Sequence, residues 1–312
     1  MPTPSPMPRT CPEKTRLNAA ALAALELFGI EVSACKLIHY GFNATFRVED
    51  ANGQLFALKL ITDSPRTIDD LRAELAWCDS QSKAGIPVCR PFSTEPVRVA
   101  GAGPQGTLAI CNHWIQGRKL PANLTTGPLQ SVCGLLQRIS GHPLPPGFRL
   151  PEYRSVFAGL ECRLEGPVFS EASAECQEAL DTLWRNQPPS ALHFDLHNRN
   201  VLRFRRQLIA FDFEYSHTAP PAIEVANTVF YYMTKTPRCD VEAIVRQSFS
   251  FEPVQISLTE RQFQSLILAR KLFFANDLFF VANPELDEIK ERYATRARIQ
   301  AEMFLSTGAY SP

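Results

Sequence analysis

What the chain lacks narrows it before any motif is read. It carries no net charge, since 32 Lys and Arg balance 32 Asp and Glu over 312 residues. There is thus no basic excess of the kind that draws a protein to nucleic acid or an anionic membrane, and neither is expected as a partner. Its nine cysteines form no C-x-x-C pair, and their number is odd. That pattern speaks against a zinc module or a disulfide framework, and the thiols read as reduced and mostly buried. No apolar run reaches the length of a membrane span. The stretch "AAALAALELFGI" (19–30) contains Glu26 and follows a proline-rich head, so it reads as an amphipathic helix rather than a signal-peptide core, and the cytoplasm is the expected compartment. No repeat of fixed period organises the chain.

What is present divides it in two. Prolines at 2, 4, 6, 8 and 12 mark residues 1–12 as an extended or disordered tail. A helix is expected over 14–28. In "KLIHYGFNATFRVEDANGQLFALKLI" (36–61), Asn52-Gly53 between two runs of β-formers is a strong hairpin signal. The second strand alternates, with Phe56, Leu58 and Leu60 on one face and Ala57, Lys59 and Ile61 on the other. A helix over 67–85 has an acidic first turn and stops at Gly85. "EPVRVA" and "GTLAICNHWI" read as two more strands. From residue 128 the pattern turns helical, with helices expected near 128–140, 151–164, 170–186, 222–234, 240–248, 258–280 and 284–306. Between them, residues 187–216 form a small irregular β region containing a short hairpin. The division predicted is a tail (1–12), a β-rich lobe (13–114) and a helical lobe (115–312).

The chemistry concentrates in "ALHFDLHNRNVL" (191–202) and "AFDFEYS" (210–216). His193, Asp195 and Asn200 keep the offsets of the phosphoryl-transfer string H-R-D-x-x-x-x-N. Asp212-Phe213-Glu214 stands where that template has D-F-G. Transfer from a nucleotide needs a hydroxyl aimed at the γ-phosphate and cations on the phosphate oxygens. One carboxylate orients the hydroxyl and accepts its proton, while an amide oxygen and a second carboxylate suit Mg²⁺, which prefers hard oxygen donors. The same chemistry wants a strand lysine for the phosphates and a helix glutamate to hold it, and Lys59 and Glu74 stand in those contexts. Each element alone has an ordinary reading: a turn, a solvated strand lysine, a surface helix residue. The order Lys59, Glu74, Asp195, Asn200, Asp212 is what carries weight. His193 and His197 beside Asp195 are also compatible with zinc in type, but no third ligand cluster is visible.

With these motifs the chain resembles the aminoglycoside phosphotransferase and choline kinase superfamily, small-molecule kinases of the protein-kinase-like fold. The resemblance covers roughly residues 20–235. "GFNATFRV" (41–48), "ELAWCDSQSKAGIPVCRP" (74–91), "IQGRKL" (115–120), "HFDLHNRNVL" and "AFDFEYS" are each similar to a family string, the last to choline and ethanolamine kinases. The resemblance implies an α+β, bilobal fold: a small antiparallel-sheet N-lobe with one helix and a larger, mainly helical C-lobe. It implies Asp195 as catalytic base, Asn200 and Asp212 as metal ligands, and Lys59 on phosphate with Glu74 as its partner. Gly41 and Asn43 would lie at the nucleotide, which would sit near Ala109 to Trp114. His193, His197 and Glu224 would support the catalytic loop. The cofactors implied are ATP, with GTP as the alternative, and Mg²⁺. The acceptor implied is a small hydroxylated molecule: an amino alcohol such as choline or ethanolamine, an aminoglycoside or a sugar.

Two departures keep other readings open. Where a phosphate-covering G-x-G-x-x-G would lie between the first strands, only Gly41 is present, and Glu224 stands where many relatives have aspartate. A catalytically silent nucleotide-binding module and a protein Ser/Thr kinase of the same fold therefore stay in play, with a metal-dependent hydrolase using His193, Asp195 and His197 behind them. The aromatics of "KLFFANDLFF" (271–280) read as core, or as a cation–π box for a quaternary ammonium acceptor. Trp114 either stacks on a base or fills core. Oligomeric state leaves no mark in the sequence.

Overall fold

The computed structural model describes residues 11–41, 43–62, 66–100, 106–233, 240–281 and 287–312. Five strands, β1 (Val32–Tyr40), β2 (Ala44–Asp50), β3 (Leu55–Ile61), β4 (Val97–Val99) and β5 (Thr107–His113), form an antiparallel sheet in the order β1-β2-β3-β5-β4. The β2–β3 hairpin turns at Asn52-Gly53, where Gly53 takes φ +77°, a left-handed conformation that costs glycine little.

Register then decides which way Lys59 points. It lies opposite Thr45 on β2 and Ile110 on β5. Alternation sends Phe56, Leu58 and Leu60 to the other face. There they are buried with Phe46, Val48 and Cys111 against Leu17, Ala21, Ala24 and Leu25 of α1 (Cys11–Leu27). The helix α1 thus covers one face of the sheet and leaves Lys59 on the opposite one. On that face α2 (Ile68–Lys83) packs Leu71 and Leu75 against Ile61, Leu108 and Ile110. A reciprocal capping box between Thr67 and Asp70 starts α2.

The C-terminal part is built on α3 (Thr126–Ser140), α4 (Pro167–Asn186), α5 (Ala222–Met233), α6 (Val241–Phe249), α7 (Glu260–Asp277) and α8 (Asp287–Thr307) around one large core. Two small sheets lie within it. β6 (Arg118–Lys119), β8 (Val201–Phe204) and β9 (Gln207–Ala210) form one, and β7 (Ser190–Leu192) pairs antiparallel with β10 (His217–Ala219) in the other. The two parts are stitched by backbone: Cys89 N–H donates to Ala210 O (2.8 Å), and Ala210 N–H donates to Pro87 O (3.0 Å).

The structure corrects four expectations. Residues 151–164 are not helical. Tyr153, Val156 and Leu164 are buried as a helical period would ask, but Tyr153 N–H bonds Thr218 O, and Ala158 and Gly159 both take positive φ. The segment therefore runs as an irregular strap beside β10. The sheet carries two helices rather than one, because α1 packs on it. That helix begins at Cys11, inside the stretch assigned to the tail, whose residues 1–10 lie outside the described ones. The helix expected to 280 ends at Asp277 in a short 3₁₀ turn (Leu278–Phe280). Seven cysteines are described as free thiols, and among the described residues no helix is long and apolar enough to cross a membrane.

Trp77 of α2 ties the sheet side to the C-terminal part. It is fully buried, donates Nε1–H to His142 O (3.0 Å) and meets Phe213 edge-on with centroids 5.6 Å apart. Trp77→Ala is expected to cost about 3–5 kcal/mol in chemical denaturation; a loss below 1 kcal/mol would show that the ring does not anchor α2.

Candidate active site

Topology brings the polar motifs together. Strand β7 runs into residues 193–200, the β8–β9 hairpin follows, and the chain re-emerges at Asp212 before β10 closes back onto β7. The two motif segments are therefore neighbours: Phe211 N–H donates to Asn200 O (3.0 Å), and His193 Nε2 lies 3.2 Å from Phe211 O. Phe194 and Asp212 both hold positive φ, +69° and +65°. Such conformations are unusual for these residue types and persist only where the surroundings fix them.

Asp195 sits at the centre, 8% exposed. Its Oδ2 accepts from Asn200 Nδ2 (2.9 Å), with His197 Nε2 at 3.7 Å. Its Oδ1 accepts from Arg270 Nη2 (2.7 Å) and from the Tyr231 hydroxyl, which is itself bonded by Arg270 Nε (2.9 Å). Neither Arg270 nor Tyr231 is singled out by the sequence motifs. Arg270 belongs to α7 and is 1% exposed. The aromatics of 271–280 divide: Phe273 is core, while Phe279 and Phe280 are partly exposed. The cation beside the rings is the chain's own. The Arg270 guanidinium carbon lies 4.8 Å from the centre of Phe194, 4.9 Å from Phe273, 5.3 Å from Tyr231 and 5.6 Å from Tyr215.

Lys59 reaches across from the sheet. Its Nζ lies 2.7 Å from Asp212 Oδ1 and 2.7 Å from Glu214 Oε2. Burial works against the ammonium, but Asp212, Glu214 and Glu74 outweigh it and raise the Lys59 pKa above the ordinary lysine value. The reciprocal effect appears on Asp212, where burial opposes the charged form yet Lys59 holds the carboxyl below its ordinary value. The direct Lys59–Glu74 pair expected from the motif order is not formed. Glu74 is paired with Arg66 instead, so its charge reaches Lys59 only through space. Asn43 supplies a link the motifs did not indicate. Its Nδ2 donates to both oxygens of Glu214 (2.8 and 2.7 Å), and its Oδ1 accepts from Thr62 N–H (3.1 Å). Glu214, in the place of the template's glycine, thus ties the turn after Gly41 to the lysine. Phe42, within that turn, lies outside the described residues. Trp114, past the end of β5, lies beneath Arg47 at 5.8 Å.

Helix α5 holds the loop from below. Glu224, Asn227 and Tyr231 recur at helical spacing on one face. Glu224 Oε2 accepts from Phe194 N–H (3.2 Å), Asn227 Nδ2 donates to Phe194 O (3.1 Å), and Tyr231 reaches Asp195. His193 is fully buried, and desolvation lowers its pKa to about 4. It is neutral at physiological pH, with Nδ1 accepting from Asp195 N–H (3.3 Å), which leaves Nε2–H to donate to Phe211 O. His197 Nδ1 accepts from Arg199 N–H (3.0 Å).

As to a metal, the groups that converge are hard oxygen donors: the Asp212 carboxylate, with a lysine ammonium already against it, and the Asn200 amide, whose nitrogen is committed to Asp195. Among the described residues no group of three His, Cys, Asp or Glu side chains is placed to hold a metal by itself. A small hard cation shared with phosphate oxygens and water needs only one or two carboxylates, so the set fits Mg²⁺ better than zinc.

Burial also pushes the Glu224 carboxyl up to about 7, against the opposing backbone hydrogen bonds from Phe194 and His193. A carboxyl raised in the folded state adds stability that is complete below its unfolded value and is lost as pH rises through about 7. Glu224→Gln keeps the acceptor and cannot ionise. The melting temperature of wild type minus that of this variant is therefore expected to fall between pH 5 and pH 8; a constant or rising value would contradict the assignment.

Residues 35–256 match the phosphotransferase enzyme family. No curated protein is similar to the chain at a significant level. Among solved structures, an amicoumacin kinase superposes with a TM-score of 0.69 at 15% identity, covering 95% of this chain and 94% of that one. A microcompartment-associated aminopropanol kinase gives 0.66 at 16% identity, covering 93% and 98%. The ethanolamine kinase of Plasmodium vivax gives 0.61 at 16%, covering 88% and 83%. At these identities the likeness speaks for the fold, an antiparallel-sheet N-terminal part joined to a helical C-terminal part. The family match extends over more than half of the chain and includes Lys59, Asp195, Asn200 and Asp212, and on that ground the chain belongs to the phosphotransferase enzyme family.

Proposed function

We propose that the chain is an ATP-dependent O-phosphotransferase that moves the γ-phosphate to a hydroxyl of a small molecule, with residues 13–114 as the nucleotide-binding lobe and 115–312 carrying the catalytic loop and the acceptor site. The observation that carries this reading is convergence. Lys59, from the sheet, meets Asp212 at 2.7 Å, and Asn200 meets Asp195 at 2.9 Å one loop away. A candidate phosphate-binding cation, two candidate metal donors and a candidate base therefore come together at one site.

Each residue has a role that follows from its chemistry. Asp195, held on Oδ1 by Arg270 and Tyr231, orients the acceptor hydroxyl and takes its proton as the new P–O bond forms. Lys59 exchanges Asp212 for the nucleotide phosphates. Asn200 Oδ1 and Asp212 are the residues that would hold Mg²⁺. When bound, that ion neutralises charge on the transferred phosphoryl group and its leaving oxygen. Gly41 and Asn43 border the phosphates, and Glu74 fixes Arg66 and adds negative field behind Lys59. His193, His197 and Glu224 keep the loop in its strained conformation. Ligands in the structures of relatives are in keeping with this. The amicoumacin kinase is a complex with AMP-PNP and Ca²⁺, and one aminoglycoside phosphotransferase is a ternary complex with ADP and hygromycin B.

A silent nucleotide-binding module makes a different prediction, binding without transfer. Asp195→Asn keeps the shape of the side chain and removes the base. It is expected to lower ADP release in the presence of acceptor about 10²–10⁴-fold while nucleotide affinity stays near wild type. Wild-type turnover in that variant would remove Asp195 from catalysis. Wild-type protein that binds MgATP but transfers to none of a broad set of alcohols would favour the silent module.

A further inference from the structure

The Oδ1 side of Asp195 contains a feature the motifs do not explain. Arg270 is a fully buried cation hydrogen-bonded to one carboxylate oxygen, Asp195 Oδ1, and one phenol, Tyr231, while the Glu224 and Asp277 carboxyls feel its charge through space. Its Nη1 is buried without a hydrogen-bond partner among the described residues. What surrounds the rest of the guanidinium is aromatic: Phe194, Phe273, Tyr231 and Tyr215 all stand within 5.6 Å of its central carbon. Tyr215 is fixed in turn by donating to Asp277 Oδ2 at 2.5 Å. Three or four ring faces beside a carboxylate are the ordinary receptor for a quaternary ammonium. Here that receptor is built, and its occupant is a side chain of the same protein.

Two consequences follow from one side chain. The guanidinium fork fixes one oxygen of Asp195 and leaves the other, shared with Asn200, as the edge that a hydroxyl can approach. It also fills the space beside Asp195 into which the ammonium of a choline-like molecule would fit, and it places a positive charge there. A second cation would meet repulsion and no free ring face. We propose that Arg270 is a built-in cation that positions Asp195 and denies the aromatic cage to a cationic acceptor, so that the molecule phosphorylated is a non-cationic hydroxyl compound such as a polyol, a sugar or a hydroxy acid. The proposal rests on the phosphotransferase reading for the word acceptor; the cage and its occupancy do not.

The test separates the two. Thermal stability is measured for wild type, Arg270→Ala and Arg270→Lys with tetramethylammonium chloride, choline chloride, guanidinium chloride at low millimolar concentration, and sodium chloride as the ionic-strength control. Arg270→Ala vacates the cage and leaves Asp195 without its counter-charge. That variant is expected to gain a dose-dependent upward shift with tetramethylammonium and with guanidinium that wild type does not show. A tetramethylammonium or choline shift in wild type, or none in a folded Arg270→Ala, overturns the proposal. Should Arg270→Ala not fold, Arg270→Lys, which keeps a cation, is expected to fold and to ignore tetramethylammonium, and a shift there overturns the proposal equally.

Kinetics test the positioning role. With an acceptor drawn from glycerol, glucose, glycerate, choline and ethanolamine, Arg270→Ala is expected to lower kcat about 100-fold with KM for MgATP nearly unchanged, added guanidinium restoring part of the loss. A purely structural role would move both constants and show no rescue. Choline or ethanolamine as the best wild-type acceptor contradicts the proposal and leaves the phosphotransferase reading intact. Absence of any MgATP shift in wild type contradicts that reading and leaves the cage result to stand.

Discussion

One cation organises the site. Lys59 is directed inward by strand alternation and register, and it meets Asp212 and Glu214 of the other part of the chain, each at 2.7 Å. Through Glu214 the same contact reaches Asn43 and the turn between β1 and β2. The lysine and the two carboxylates satisfy one another. On the proposed reading Lys59 would turn to the nucleotide phosphates, and Asp212 would be one of the residues that hold the metal. A ligand that exchanges partners in a buried ionic cluster avoids leaving any charge bare, a state that costs several kcal/mol per ion.

The second layer of the site is polar and almost wholly buried. Glu224, Asn227 and Tyr231 rise from α5 and Arg270 from α7, and all are directed at the catalytic loop or its aspartate. Burial of an arginine against a single carboxylate oxygen does little for stability by itself, and removing either partner is worse than replacing both. Its use lies in fixing geometry: the strained φ at Phe194 and the orientation of Asp195 are both over-determined by these bonds.

Much of this was legible in the sequence where the signal is short-range. Asn52-Gly53 announced the hairpin, period-two alternation put Lys59 on its own face, and the Asp195–Asn200 spacing with Asp212 after a hairpin picked out two segments that the fold makes neighbours. Long-range pairing was not legible. Glu74 stands on the helix where a lysine partner is expected, but Arg66, eight residues upstream, takes its carboxylate, a local competition that motif order does not record. Residues 151–164 have helical periodicity, and the segment pairs with β10 instead: Tyr153 N–H donates to Thr218 O, and Pro151 O accepts from Thr218 N–H across the fold. Arg270 lies 75 residues beyond Asp195. One sign of it was available: "LILARKLFFA" (266–275) puts two cations inside an otherwise apolar stretch, and a charge buried there calls for a partner. Likewise Glu224, Asn227 and Tyr231 make a polar stripe on a helix that is apolar elsewhere.

The central claim is that the Asp212 carboxylate, now paired with Lys59, is the metal-dependent anchor for a nucleotide. Thermal stability of wild type and Asp212→Ala, each with and without MgATP, tests it most directly. At 100 times its dissociation constant a ligand adds about 2.7 kcal/mol, an easily resolved shift. The account predicts a nucleotide shift in wild type that needs Mg²⁺ and disappears in Asp212→Ala. No shift in wild type, or an equal Mg²⁺-dependent shift in the variant, would contradict it.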